Sequence, residues 1–245
     1  MKVDLNCDMG EGCGNDAELM DYVSSVNIAC GFHAGDAATM TKTVETAIEK
    51  GVAIGAHPGY PDRENFGRLA MNLSSTQIHD IVTEQLAALY EITATRGGKL
   101  NHVKPHGALY NQAARDAELA AAIAEAVFHF DPTLVLYGLS GSVSISEAER
   151  CGLRTASEVF ADRTYQNDGS LTPRSDSDAL IRDARTSLNQ VLQMISEKSV
   201  NATDGRVIPI RAETICIHGD GENAVEFAKA INQALTTIGI KIRPL

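Results

Sequence analysis

The stretch HVKPHGALYN, residues 102–111, sets Lys104 and His106 directly behind an apolar run. A lysine there is a compact cation suited to an anion, and it is costly at the end of a buried strand without one. A histidine, with an ordinary pKa of about 6.5, suits proton transfer near neutral pH. Similar groups recur behind other apolar runs. Asn6, Asp8 and Glu11 follow the first, and His33 and Asp36 follow the second in GFHAGD. His57, Asp62 and Arg68 lie in AHPGYPDRENFGR, Glu158, Asp162 and Arg163 in EVFADR, and His218 and Asp220 in IHGD. Arg174 sits beside a proline, and Tyr110 lies one turn into a helix, where it can orient His106. Cations, a base and hydrogen-bond donors together suit an anionic small molecule with a carbonyl group. For some residues a plainer role competes: Asp8 as the cap of a turn, His33 as a core histidine, and Glu158, Asp162 and Arg163 as an ion-pair network alone. His79, His102 and His129 are read as structural or surface residues.

The elements that must gather these groups are legible as alternation. Short apolar runs at 3–7, 26–30, 52–56, 100–103, 134–139, 153–160, 214–217 and 238–242 lack clean polar alternation, as strands buried on both faces do. Helical periodicity is expected over 39–50, from a start at Ser74, over 108–128, over 179–195 and over 223–238, with Gly239 as a stop. VNATDGRVIPI reads as a hairpin turning at Asp204-Gly205, outside the main sheet. Strand–helix alternation repeated about seven times predicts a parallel sheet with helices outside. There is no G-x-G-x-x-G behind a strand and no G-x-x-x-x-G-K-[ST], so the usual reason for an open nucleotide-binding sheet is missing. The expectation is an α/β fold, one (β/α) barrel over residues 1–245. The C-terminal ends of its strands would then bring the polar groups to one face.

Bulk properties narrow the partners. The formal charge is −11, from 32 acidic and 21 basic residues, with no basic cluster, which argues against nucleic acid. Five cysteines without C-x-x-C argue against a disulfide framework and a structural zinc site. No leader and no apolar run of about 20 residues is seen, so a cytoplasmic, membrane-free setting is expected.

The phrases LNCDMGEG, NIACGFHAGD, GAHPGYPD, HVKPHGALYN, EVFADRTY and ICIHGD, in this order over nearly the whole chain, closely resemble the LamB/YcsF family, the A components of the bacterial ATP-hydrolysing 5-oxoprolinases. The resemblance implies a seven-stranded (β/α) barrel related to polysaccharide deacetylases, working with subunits B and C to open 5-oxo-L-proline to L-glutamate with ATP. The chain departs from that pattern in a short segment after Gly14 and in Leu69, where a second arginine often follows FGR.

Such chemistry would use Lys104 for a phosphate or carboxylate, Arg68, Arg163 or Arg174 for the substrate carboxylate, and Asp8, His57 or His106 to activate water. Asp8, His57, Lys104 and His106 are the catalytic candidates. Asn6, Glu11, His33, Asp36, Arg68, Tyr110, Glu158, Asp162, Arg163, Arg174 and His218 are the substrate-binding ones. With no phosphate-binding loop, ATP and its Mg2+ are expected to be held mainly by the partner subunits. No protein-bound metal is expected, in the absence of an H-E-x-x-H spacing; Asp8, His33 and His57 are the alternative ligand set. Two other readings stay open: a stand-alone metal-dependent amide hydrolase or deacetylase, and a non-catalytic subunit that presents substrate.

Overall fold

The computed structural model describes residues 1–221 and 223–245. Its strands are β1 (Lys2–Met9), β2 (Ser25–Ala29), β3 (Ala53–His57), β4 (Leu100–Val103), β5 (Val135–Leu139), β6 (Arg154–Phe160), β7 (Ser199–Asn201), β8 (Val207–Pro209), β9 (Thr214–His218) and β10 (Lys241–Ile242). Its helices are α1 (Asp16–Leu19), α2 (Ala37–Lys50), α3 (Ser75–Thr95), α4 (Gly107–Ala113), α5 (Ala117–Phe130), α6 (Val143–Cys151), α7 (Ala184–Ser196) and α8 (Ala224–Thr237). Strands β1 to β6 pair in chain order, and β9 pairs with both β6 and β1, all parallel. That closes a seven-stranded barrel, as expected. The hairpin β7–β8 is antiparallel and lies outside it.

Three elements differ from the expectation. The eighth apolar run is not a barrel strand: Gly239, at φ 77°, turns the chain, and only Lys241 and Ile242 pair, with Lys2 and Val3. The periodicity of 108–128 continues through a break, because Asp116 accepts the N–H groups of Glu118 and Leu119 and starts a new helix. Helix α7 begins at Ala184 under an Asp183 cap, while Leu180 bridges Arg163 and Ile181 bonds to the Asp162 carbonyl, keeping 180–181 extended. Ser74 does start a helix, through a capping box with Gln77.

Both faces of the strands are buried, but differently. On β1, Val3, Leu5, Cys7 and Met9 join the apolar layer under the helices. The alternate residues Asp4, Asn6 and Asp8 point into the barrel, where they meet polar partners from other strands. The barrel interior is therefore largely a hydrogen-bonded polar column, with a small apolar cluster of Val135, Tyr137 and Ala156 beside it, and the main apolar core lies between sheet and helices.

Candidate active site

At the C-terminal mouth the column opens into a cavity of about 730 Å³, lined by Asp8, Glu11, His57, Lys104, His106 and His218 among others. Its floor is an ionic triad. The Lys104 ammonium, 2 % exposed, donates to Asp8 Oδ1 at 2.9 Å and lies 3.0 Å from Glu158 Oε1 and from Cys216 Sγ. Asn27 donates to the same Asp8 oxygen at 2.7 Å. Burial opposes the ionised Asp8, yet His57 and Lys104 outweigh it and hold the carboxyl well below its usual range. Burial likewise opposes the charged Lys104, and Asp8, Cys216 and Glu158 hold it well above its usual range. This corrects one expectation. The anion that a buried lysine needs comes from the protein itself, so Lys104 serves first to hold Asp8 charged and oriented.

Beside the triad, three histidines surround Glu11. His57 donates from Nδ1 to the Lys104 carbonyl at 2.7 Å, and His106 donates from Nε2 to the Phe66 carbonyl at 2.8 Å. The remaining nitrogens, His57 Nε2 and His106 Nδ1, face each other at 2.9 Å. Glu11 Oε1 is 3.3 Å from His106 Nδ1, 3.8 Å from His57 Nε2 and 3.2 Å from His33 Nε2. His57 Nε2 also lies 3.4 Å from Asp8 Oδ2. Burial disfavours the His57 cation, but Asp8 prevails and raises its pKa. Burial, then His57, push His33 down to about 2, and burial, His57 and His33 push His106 well down. Burial and the Asp8 charge raise Glu11 to about 7. The His33 ring stacks on His106, with centroids 3.8 Å apart. The sequence-derived ligand set changes accordingly: Glu11 and His106 gather with His33 and His57, whereas Asp8 belongs to Lys104.

The loops that carry these side chains are locked together. Gly107, at φ 54°, passes so close to its neighbour that a Cβ would sit 2.6 Å from the Gly67 carbonyl oxygen. Ala108 N–H donates to that carbonyl, and His106 N–H to the Pro58 carbonyl.

The rim is cationic. Arg68 and Arg174 both line the cavity and share Asp220, at 2.7 and 3.7 Å. Tyr110 also lines it; burial and the nearby Glu158 push its phenol well up, and its hydroxyl faces Glu158 without closing a full hydrogen bond. His218 lines the cavity and is oriented by Asp162 at 2.9 Å.

Several expected substrate contacts have other partners. Asn6 is fully buried below the triad, donating to Glu158 and Thr214, because its strand parity points it into the column. Asp36 caps α2 by accepting the Thr39 N–H. Glu158 and Asp162 do not line the cavity; they hold Lys104 and His218. Arg163 lines the cavity, but its guanidinium is spent on the Ala179 and Thr172 carbonyls, which ties down the segment after β6. His33 stands behind Glu11, outside the lining. Leu69 is exposed, and its N–H bonds to Asp62. After Gly14 the chain forms the four-residue helix α1, with Gly10 N–H bonded to Asp16.

Among the other members of the site, Asp220 is noted from sequence beside His218 and His102 is read as structural or surface, whereas Asn27 and Cys216 are not singled out. Asn27 bridges Asp8, Asn6 and His102, and His102 Nε2 lies 2.8 Å from Asn27 Oδ1 in full burial. Cys216 touches Lys104. Asp220 ties the two arginines. For the first three, the available signal was parity: Asn27 alternates with Ser25, His102 with Lys104, and Cys216 with Thr214 and His218.

Comparison with known proteins agrees with this architecture. A relative from Geobacillus kaustophilus, named as the A component of a 5-oxoprolinase, is 56 % identical over 245 residues, covering 98 % of this chain and 96 % of its own. The crystal structure of a lactam utilization protein from Thermus thermophilus superposes with a TM-score of 0.93 at 45 % identity, covering 100 % of both chains. The catalytic domain of a peptidoglycan N-acetylglucosamine deacetylase from Eubacterium rectale, 11 % identical with 99 % of this chain and 87 % of that one covered, shares the fold at a TM-score of 0.55. The LamB/YcsF family pattern matches residues 3–245, and the chain belongs to that family.

Proposed function

We propose that this chain is the A component of an ATP-dependent 5-oxoprolinase, which opens the lactam of 5-oxo-L-proline to L-glutamate together with subunits B and C. The names of its relatives support the substrate class. The observation that carries the reading is the ionised Asp8, wedged between Lys104 and the histidine cluster at the floor of a cavity rimmed by arginines.

A lactam resists water because its amide is resonance-stabilised. Transfer of a phosphoryl group from ATP to the amide oxygen makes a better electrophile. Water then adds to that carbon, the ring nitrogen leaves with a proton, and a second water releases phosphate from the acyl phosphate. The two waters match the overall balance of ATP, 5-oxoproline and two waters to ADP, phosphate and glutamate. Arg68 and Arg174 suit the substrate carboxylate, since both line the rim and can exchange Asp220 for it. Asp8, which lines the cavity, is the base assigned to the attacking water. ATP with Mg2+ is assigned mainly to the partner subunits, since the chain has no glycine-rich phosphate loop motif. Among the described residues no helix is long and apolar enough to cross a membrane, and we place the enzyme in the cytoplasm.

Reconstitution with subunits B and C tests the assignment. Glutamate release from 5-oxoproline should require ATP and this chain, and it should collapse with Asp8→Asn. Release by the isolated chain without ATP would favour a stand-alone amide hydrolase instead.

A further inference from the structure

Two groups of potential metal ligands lie at the mouth, Asp8 with Cys216 and His218, and Glu11 with His33, His57 and His106. They differ in what already fills them. The first holds a cation, the Lys104 ammonium, 2.9 Å from Asp8 and 3.0 Å from Cys216. The second is not paired with any lysine or arginine among the described residues. Carbonyl oxygens only accept, so the bonds to Lys104 and Phe66 fix the protons of His57 on Nδ1 and of His106 on Nε2. Their other nitrogens then point lone pairs at one another across 2.9 Å, with Glu11 Oε1 3.3 and 3.8 Å away. Only a positive species between them satisfies both lone pairs: a proton, which makes His57 an imidazolium, or a bound metal ion.

We propose that Glu11, His57 and His106 bind a divalent cation of the zinc class through Oε1, Nε2 and Nδ1, with the remaining coordination position open to the cavity. Ligands about 2.0–2.1 Å from a tetrahedral ion stand about 3.3 Å apart, and the separations of 2.9, 3.3 and 3.8 Å bracket that figure. Two imidazoles and one carboxylate are the donor types that suit this ion and leave a fourth position for water or substrate. The protein also supplies the outer bonds that such ligands need. Lys104 and Phe66 carbonyls fix the two rings, and His33, 3.2 Å from Glu11 Oε1, donates to the carboxylate and turns it inward. That tautomer leaves His33 Nδ1 as an acceptor, in keeping with its lack of any partner. All four side chains are nearly or fully withdrawn from water, unlike a chance surface cluster. The site stands on geometry alone and does not depend on 5-oxoproline being the substrate.

The test uses the full-length chain, stripped with a chelator, reloaded with Zn2+ and passed through a desalting column before elemental analysis. Co2+ is titrated in parallel, and its visible absorption reports low-symmetry nitrogen and oxygen ligation. Wild type should retain one Zn2+ per chain. Glu11→Gln and His57→Ala should each weaken retention by at least about 100-fold, and His33→Ala by about 10- to 100-fold. Cys13→Ser should bind as wild type does, and so should a chain lacking the exposed His79–His129 pair, whose rings approach within 3.4 Å. Circular dichroism of each variant separates lost ligation from lost folding. A wild-type chain that keeps no Zn2+, or folded Glu11→Gln and His57→Ala chains that keep it undiminished, would overturn the site. So would loss of binding with the His79 and His129 substitutions alone.

Discussion

Asp4 and Asp8 lie four residues apart on the same strand and point into the same barrel, yet their surroundings make them different groups. Asp4 accepts from four hydroxyls, those of Ser24, Ser25, Thr214 and Tyr137, and meets no cation. Burial raises its pKa despite those bonds. Asp8, two inward positions higher past Asn6, has Lys104 and His57 beside it and is held well below the carboxylate range. Neutral donors satisfy a carboxylate without compensating its charge, whereas adjacent cations do both. The lower layer therefore builds the barrel, and the upper one can perform chemistry.

The sharpest way to break this contrast is Asp8→Asn. It keeps the shape and removes the proposed base, so glutamate release by the reconstituted enzyme should fall by about 10²–10⁴-fold, measured at saturating 5-oxoproline. Lys104→Met comes next. It strands Asp8 and Glu158 as buried carboxylates without their cation, and chemical denaturation should show a loss of about 3–5 kcal/mol. At the rim, Arg68→Ala and Arg174→Ala should each raise KM for 5-oxoproline about tenfold with kcat nearly kept, the signature of uniform binding.

The smallest effect belongs to Asp4→Asn. The four hydroxyls can reorient around an amide, so stability at neutral pH should change by about 1 kcal/mol or less, with turnover unchanged. Its pH dependence is more telling. The folded-state pKa of Asp4 lies above its ordinary 3.8, so the folded chain holds that proton more tightly than the unfolded chain. The stabilising contribution is complete below the ordinary value and is lost as pH rises through the folded one. The variant lacks it. Melts taken upward from about pH 4 should therefore show the margin of wild type over Asp4→Asn shrinking, and a margin that grows instead would refute the account of Asp4.

Much of this arrangement was legible in the sequence. Strand runs ending in polar residues predicted the barrel and its polar mouth, because parallel strands must leave their C-terminal ends on one face. Asp8, His57, Lys104 and His106 meet there as expected. What one chain cannot display is partnership. Lys104 reads as a cation awaiting an anion because its partners Asp8 and Glu158 are distant in sequence. Asn6 and Asp8 look alike on β1, and only the opening of the column at Asp8 separates a buried strut from an accessible group. Asp36 failed for a local reason: an aspartate just ahead of a helix is first of all a cap. The polar interior itself was missed, since strands with two buried faces were read as apolar on both.

The locked crossing at Gly67 and Gly107 has a mechanical consequence. His57 ends β3 and His106 stands in the loop after β4; the segments that follow them are joined backbone to backbone, and separating them would break buried backbone hydrogen bonds. Arg68 and Arg174 are held by part-exposed ion pairs to Asp220 that cost about 0–1 kcal/mol to release, and Arg68 also lies over the Phe66 ring. A molecule entering this mouth thus meets an anvil on one side and two swinging arms on the other, and whatever adjustment admits it has to come from the arms.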